Sequence, residues 1–132
     1  MFLQQLNEVE KTAFLELALT VANANGVFDD SEQVMIDGYL TEMDLDVDIQ
    51  TLEIRPFQDI IEVFQDKKIQ RIVFMETLAV VFADGIYHEE QKSHIHELKD
   101  HFSISDIDYE SFKTWISKMN SLYIQAVELI DA

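Results

Sequence analysis

The stretch FADGIYHEEQ, residues 82–91, decides the fold class, and a close copy of it, NANGVFDDSE, occupies residues 23–32. Both copies lie between segments whose apolar residues recur at helical spacing. In each, a Gly ends the first segment, a Val or Ile and an aromatic residue follow, and then come several carboxylates. Gly readily takes the left-handed conformation that ends a helix, and carboxylates stabilise the first turn of the next helix. The pattern predicts two helix–Gly loop–helix units.

The likeness extends beyond the loops when Gly26 is placed on Gly85. This alignment pairs residues 13–45 with residues 72–104, and the matched pairs are Ala24 with Ala83, Asn25 with Asp84, Val27 with Ile86, Phe28 with Tyr87, Asp30 with Glu89, Ile36 with Ile95, and Met43 with Phe102. The matches concentrate around one Gly. We therefore expect the two ranges to superpose as repeat units.

Helix signals cover most of the remaining chain. A capping box of Asn7 and Glu10 predicts a first helix that runs to about Ala24, and an acidic cap predicts a second helix. Pro56 predicts the start of a third helix at PFQDIIEVFQ. Three further helices are predicted: a long apolar one from about Lys68 to Ala83, one from His88 to Phe102, and a last one of about 105–131 capped by Ser105. DLDVDIQTLEIR reads as a connector. The sequence predicts an all-α, compact bundle of about six to seven helices, without strands, in a single domain over residues 1–132.

The charge of the chain is its outlying property. Twenty-six acidic residues against nine basic ones give a net charge of −17. Such a field repels phosphate backbones, so direct nucleic-acid binding is not expected. It favours cations, basic partners or solubility alone. No apolar run is long enough for a transmembrane segment, and the N-terminal residues do not have the pattern of a secretory signal, so the expected location is cytoplasmic.

Two interpretations account for the repeated loop. In the first, its carboxylates only cap helices. In the second, they bind a divalent cation, since hard cations take several converging oxygen ligands. The loop is not an EF-hand: Val21 and Val80 stand at the first ligand position of the two copies.

The motif ADGIYHEEQ after an apolar helix, duplicated as ANGVFDDSE, resembles the TerB-like group. This group includes tellurite-resistance TerB proteins and the regulatory domain of membrane-anchored DnaJ-like co-chaperones. The resemblance spans residues 13–102. It implies an all-α fold of about seven helices with internal pseudo-twofold symmetry, and a non-enzymatic role in stress or metal-ion signalling complexes. The implied partner is another protein, basic or membrane-associated.

The resemblance also implies an acidic metal site for Ca²⁺, Mg²⁺ or Zn²⁺, built from both loops. By position, Asp84, Glu89 and Glu90 match the family's carboxylates. In the first copy Asn25 replaces the Asp, which lowers the charge of the site. The remaining acids of that copy are Asp29, Asp30 and Glu32.

Two other features stand outside this motif. All four His lie between His88 and His101, where His94 and His101 share a helix face with Glu90 and Glu97; a solvated polar edge and a metal site both fit that spacing. Glu76 projects among apolar residues, so it should be buried with either a raised pKa or a basic partner.

No catalytic assembly stands out, since the chain has no Cys and no Gly-rich phosphate loop. The sequence predicts a non-enzymatic acidic module that binds metal and acts through protein contacts. The alternatives are a metal-independent module that docks a basic partner, and an acidic nucleic-acid mimic that inhibits its target.

Overall fold

The computed structural model of the chain describes residues 1–24, 30–82 and 89–132, and for Ser31, Glu32, Glu89 and Glu90 it describes the backbone alone. The described part holds a short 3-10 helix, Leu3–Gln5, and six α-helices. These are α1 (Glu8–Ala22), α2 (Asp30–Met43), α3 (Phe57–Ile61), α4 (Lys67–Val81), α5 (Glu89–His101) and α6 (Asp106–Asp131). The described residues contain no strand, so the all-α prediction is confirmed.

The helices α1 and α4 form the centre of the bundle. They pack on each other, and α1 also contacts α2, α3 and α5, while α4 contacts α5 and α6. Every residue from Ala13 to Leu19 is buried, so the middle of α1 is enclosed on all sides. A helix that is apolar all round belongs in the interior of a bundle. The core therefore lies between the two helices that the alignment of Gly26 with Gly85 makes equivalent.

The helix boundaries repeat along the chain at the spacing of that alignment. Helix α1 runs from residue 8 to 22 and α4 from 67 to 81, a shift of 59 at both ends; α2 and α5 begin at residues 30 and 89, with the same shift. The N-caps are also equivalent, since Asn7 and Asp66 each accept a hydrogen bond from the backbone N–H three residues on. The superposition of the two units stays a prediction.

Equivalent turns end α2 and α5. Asp44 and Ser103 both have positive φ, 54° and 55°. In each turn the next residue closes a six-residue loop, with the N–H of Leu45 donating to the Leu40 carbonyl at 3.0 Å and that of Ile104 to the Lys99 carbonyl at 2.9 Å. These are Schellman turns that use a non-Gly residue in the left-handed conformation.

Several predicted boundaries shift in the structure. Helix α4 ends at Val81 rather than Ala83, and α5 ends at His101 rather than Phe102. Helix α1 ends at Ala22 rather than Ala24, where the Asn23 side chain donates to the Leu19 carbonyl at 2.9 Å. Pro56 is the N-cap of α3 rather than its first helical residue, and α3 ends at Ile61. That helix is short because α4 starts soon after it, with Asp66 as its N-cap. Residues 44–55 hold no helix, as expected of a connector.

Candidate functional site

The described parts of the chain that flank the two Gly loops lie side by side. The side chain of Gln91, in the first turn of α5, donates a hydrogen bond to the carbonyl of Val21, in the last turn of α1, at 3.3 Å. Gln91 is 1% exposed, so this bond crosses the protein interior. Val21 is four residues before Asn25, and Gln91 directly follows Glu90. The bond therefore joins the entrance of the first loop to the exit of the second.

Most of the seven predicted metal ligands fall outside the described part of the chain. Asn25, Asp29 and Asp84 lie outside the described residues, and so do the side chains of Glu32, Glu89 and Glu90. Asp30 is described, and it is the exposed first residue of α2. Within residues 1–24, 30–82 and 89–132, no three His, Asp or Glu side chains are grouped to hold a metal. The metal site thus stays a prediction.

The residues present nevertheless fit a hard cation. Six of the seven predicted ligands are carboxylates and the seventh is an amide. Ca²⁺ and Mg²⁺ prefer oxygen donors of this kind, whereas structural zinc sites use Cys and His. The bond between Gln91 and Val21 holds the flanks of the two donor segments against each other. Ca²⁺ or Mg²⁺ therefore suits these residues better than Zn²⁺.

The histidines of α5 have different neighbours. The half-buried ring of His94 lies 4.8 Å from the ring of Phe57, and that of His96 lies 5.9 Å from Tyr109. Burial lowers the pKa of His94, although the charge of Glu97 opposes this. The Glu97 carboxylate accepts a hydrogen bond from Gln58 at 2.8 Å. His94 and Glu97 thus contact α3, whereas His96, on another side of α5, contacts α6.

Glu76 is buried, as its place on an apolar face predicts, and it has a basic partner. Its carboxylate is 3% exposed and accepts from the α-ammonium of Met1 at 2.9 Å and from the Phe2 N–H at 3.1 Å. Glu42 completes the arrangement, accepting from the same ammonium at 2.8 Å and from the Leu3 N–H at 2.8 Å. Two carboxylates, on α2 and α4, thus anchor the start of the chain.

The two carboxylates raise the pKa of the Met1 α-ammonium. Burial lowers the pKa of the Met1 amine, but the hydrogen bonds and charges of Glu42 and Glu76 outweigh that effect and raise its pKa above the usual 8.0. Sequence reasoning assigns no partner to Glu42. Its partner is 41 residues away in the chain, so only the fold brings the two together.

A second buried carboxylate has an equally defined role. Glu16, in the middle of α1, accepts from Nη2 of Arg55 at 2.7 Å and from Nε at 3.0 Å, and also from the Arg55 backbone N–H at 2.9 Å. Burial alone raises the pKa of Glu16, yet the hydrogen bonds and charge of Arg55 more than offset it and lower the pKa below 4.5. Glu16 lies in the apolar run AFLELAL, a signal of the same kind as that of Glu76. The pair fixes the connector before α3 against α1.

Comparison with known proteins bears on the fold. No protein-family model matches the chain, and no curated protein matches it. A crystal structure of a tellurite resistance protein from Nostoc punctiforme does match, with a TM-score of 0.70, 20% identity, and coverage of 91% of this chain and 79% of that one. The chain therefore has the TerB-like fold that its ADG and ANG motifs imply.

Proposed function

We propose that the chain is a non-enzymatic, TerB-like module of the cytoplasm that binds Ca²⁺ or Mg²⁺ between its two Gly loops and acts through protein contacts in a stress or metal-ion response. The likeness to a tellurite resistance protein supports the general role. The metal site is supported by the donor set and by one observation above all, the bond from Gln91 to the Val21 carbonyl. That bond ties the described flanks of the two loops together, which supports a site that takes ligands from both loops.

In this proposal the bound cation neutralises the repulsion between the carboxylates of the two loops. The loops and their flanks carry six carboxylates in a chain whose net charge is −17. At an effective dielectric constant near 20, two carboxylates about 5 Å apart repel by roughly 3 kcal/mol. A bound divalent cation converts this repulsion into attraction, so metal binding and the geometry of the two loops are coupled. Such coupling would let a partner protein sense whether metal is bound.

A non-enzymatic role agrees with how the buried acids are used. Catalytic acids and bases need a pKa tuned towards neutral pH and access to a substrate. Glu16 and Glu76 are instead buried against Arg55 and the Met1 ammonium, with hydrogen bonds that hold the chain in place.

Metal titration of the purified protein tests the proposal. Millimolar Ca²⁺ or Mg²⁺ should raise the melting temperature, because a ligand that binds only the folded state stabilises it by mass action. The amide resonances around Gly26 and Gly85 should shift in the same titration. Asp84→Asn should abolish most of both effects and leave the metal-free fold intact, since Asn25 already stands at the equivalent position.

A matched control variant separates the loss of a metal ligand from the loss of one negative charge elsewhere. Asp46→Asn removes one negative charge from the exposed connector, away from both loops, and should leave the metal response unchanged. If Ca²⁺, Mg²⁺ and Zn²⁺ all leave the melting curve and the loop amides unmoved, the carboxylates are helix caps and the metal site is wrong. A metal-independent role, either docking of a basic partner or salt-sensitive competition with a nucleic acid for a common target, would then replace it.

A further inference from the structure

The second half of α6 presents an apolar stripe that is largely exposed in the described part of the chain. From Ser117 to Ala132, every residue except the half-buried Met119 is exposed. The exposed apolar residues include Leu122 at 65%, Leu129 at 79% and Ile130 at 80%. At 100° per residue, the stripe made of Trp115, Met119, Leu122, Tyr123, Ala126, Val127, Leu129 and Ile130 covers one side of the helix.

The stripe continues a face that is already used for packing. At the start of α6, Tyr109 and Phe112 contact the ring of Phe74 on α4, with centroids 5.9 and 5.6 Å away, and Ile116 is buried. Beyond Ile116 the same face passes the end of the bundle. The remaining residues of the helix, about 15 in number, extend for about 22 Å. A helix of that length is marginal in water without tertiary contacts, so this face needs a partner.

We propose that the partner is a second copy of this chain, joined through an antiparallel pairing of the two α6 helices. This inference rests on residues of α6 and does not depend on the metal site. Its basis is the spacing of the apolar residues, the local charge and the area of the stripe.

The spacing of the apolar residues fits a short coiled coil. Phe112, Met119 and Ala126 are seven residues apart, and so are Trp115, Leu122 and Leu129, which gives the a and d positions of three heptads. In an antiparallel pair whose twofold axis passes between residues 120 and 121, each a residue meets a d residue. Phe112 then packs on Leu129 of the other copy, Met119 on Leu122, and Ala126 on Trp115. The small Ala126 thus leaves room for the only Trp of the chain.

The charge of this segment permits self-association where the rest of the surface opposes it. Two copies that each carry −17 repel strongly. Residues 111–127 contain no acidic residue and two lysines, Lys113 and Lys118.

The area is sufficient for a dimer. At roughly 150–250 Å² for each large side chain, the exposed fractions of Trp115, Leu122, Tyr123, Val127, Leu129 and Ile130 amount to on the order of 700 Å². An interface of standard size takes about 800 Å² from each partner. A groove of about 320 Å³ between α4, α6 and the N-terminal segment, lined in part by Met75, Phe112 and Trp115, extends the apolar surface.

Sedimentation velocity of the full chain over a wide concentration range tests the proposal, together with the fluorescence of Trp115. We expect a monomer–dimer equilibrium, with the emission of the half-exposed Trp115 shifting to shorter wavelength as the dimer forms. Leu122→Glu combined with Leu129→Glu should weaken dimerisation at least about tenfold and abolish the spectral shift. Circular dichroism of the variant should show an intact helical fold, because both residues are exposed in the monomer.

The chain supplies a matched control on the same helix. Ile124 is also exposed, at 57%, but lies on the opposite side of α6 from the stripe. Ile124→Glu should therefore leave the dimer unchanged. Added NaCl should strengthen the dimer, because it screens the repulsion between two acidic chains; contact with a basic partner would instead weaken in salt. A chain that stays monomeric at all concentrations, or a dimer equally sensitive to Ile124→Glu, overturns the proposal.

The antiparallel register has its own test, made simple by the absence of Cys from the chain. A spin label on a single Asp131→Cys variant should lie about 30 Å from its counterpart, measured along the helix axis at about 1.5 Å per residue. A label on Ser117→Cys should be separated from its counterpart by only about 10 Å along the axis by the same geometry. Both labels lie on the outer side of the helix pair, so the distance measured at Ser117 should be clearly the shorter of the two. Equal distances for the two labels would indicate a parallel pair and overturn this register.

Discussion

Glu16 and Arg55 form a two-point ion pair that joins the centre of α1 to the connector before α3, across 39 residues of chain. The carboxylate is nearly fully buried while the guanidinium stays half exposed, with side-chain exposures of 3% and 43%. A third bond, from the Arg55 backbone N–H, saturates the carboxylate further. The pair therefore holds the connector in register with the core.

Replacing Arg55 with Gln should lower the free energy of unfolding by about 1–3 kcal/mol, because it leaves a buried carboxylate short of donors. Arg71→Gln is the matched control: Arg71 is exposed to a similar degree, but its partner Asp108 is exposed as well. Such surface pairs contribute little. Urea unfolding of the two variants measures the difference, and equal losses would contradict the role given to burial.

The same pair should make stability depend on pH in the acid range. Because the pKa of Glu16 is lowered in the folded state, its contribution is present above pH 4.5 and is lost as the pH falls through the folded-state pKa. The difference in unfolding free energy between the wild type and Arg55→Gln should thus shrink below pH 4.5. Urea titrations at a series of pH values measure it; a difference independent of pH would contradict the prediction.

Glu76 should contribute through the Met1 ammonium. Glu76→Gln should destabilise the chain by about 1–2 kcal/mol, since the ammonium then loses a charged acceptor. Glu76→Leu copies the other repeat, where Leu17 stands. It should also destabilise, because the ammonium and the Phe2 N–H both lose their acceptor. Thermal unfolding measures both variants, and a more stable Leu variant would show that the anchorage is dispensable.

The raised pKa of the Met1 ammonium predicts that stability also depends on pH in the alkaline range, where it should fall as the pH rises. Its pKa is raised in the folded state, so its contribution is full below pH 8.0 and is lost as the pH rises through the higher, folded-state value. Acetylating the α-amine should remove both the stabilisation and this part of the pH dependence. Melting temperatures of the two forms from neutral to alkaline pH provide the measurement; parallel curves would contradict it.

The two Schellman turns offer a stability gain. Ser103→Gly and Asp44→Gly should each stabilise the chain by about 0.5–1 kcal/mol, because Gly takes a positive φ without the steric penalty of a side chain. Ser103→Val, with a branched side chain, should do the reverse. Urea unfolding measures all three variants. If Gly were destabilising at both positions, the strain assigned to Asp44 and Ser103 would be wrong.

At Gly38, replacing Gly with Ala should stabilise the chain. Gly38 lies inside α2 with no atom within 4 Å of where a Cβ would be. Gly38→Ala should stabilise the chain by about 0.5–1 kcal/mol, the usual difference in helix propensity. Unfolding in urea at neutral pH tests this, and a loss of stability would show that the exposed face of α2 makes a contact in the folded chain.

The prediction of the fold succeeded where local signals were strong. The capping box of Asn7 and Glu10 and the cap at Ser105 form as their spacing predicts, because caps depend on residues only three positions apart. The boundaries at Ala22 and Ile61 were less predictable. Neither position carries a Gly or Pro that forces the chain to turn. The end of α1 has the Asn23 side chain bonded to the Leu19 carbonyl, and α3 is followed closely by the N-cap of α4.

The sequence by itself determined the helical class, the caps at Asn7 and Ser105 and the burial of Glu76, because each depends on local periodicity or on short-range hydrogen bonds. Only the tertiary structure decided which groups meet. Glu42 and Glu76 share one ammonium, Glu16 meets Arg55, and Gln91 reaches Val21 through contacts 39 or more residues apart. Periodicity assigns a residue to a face of its helix, whereas the partner on that face depends on how the helices pack.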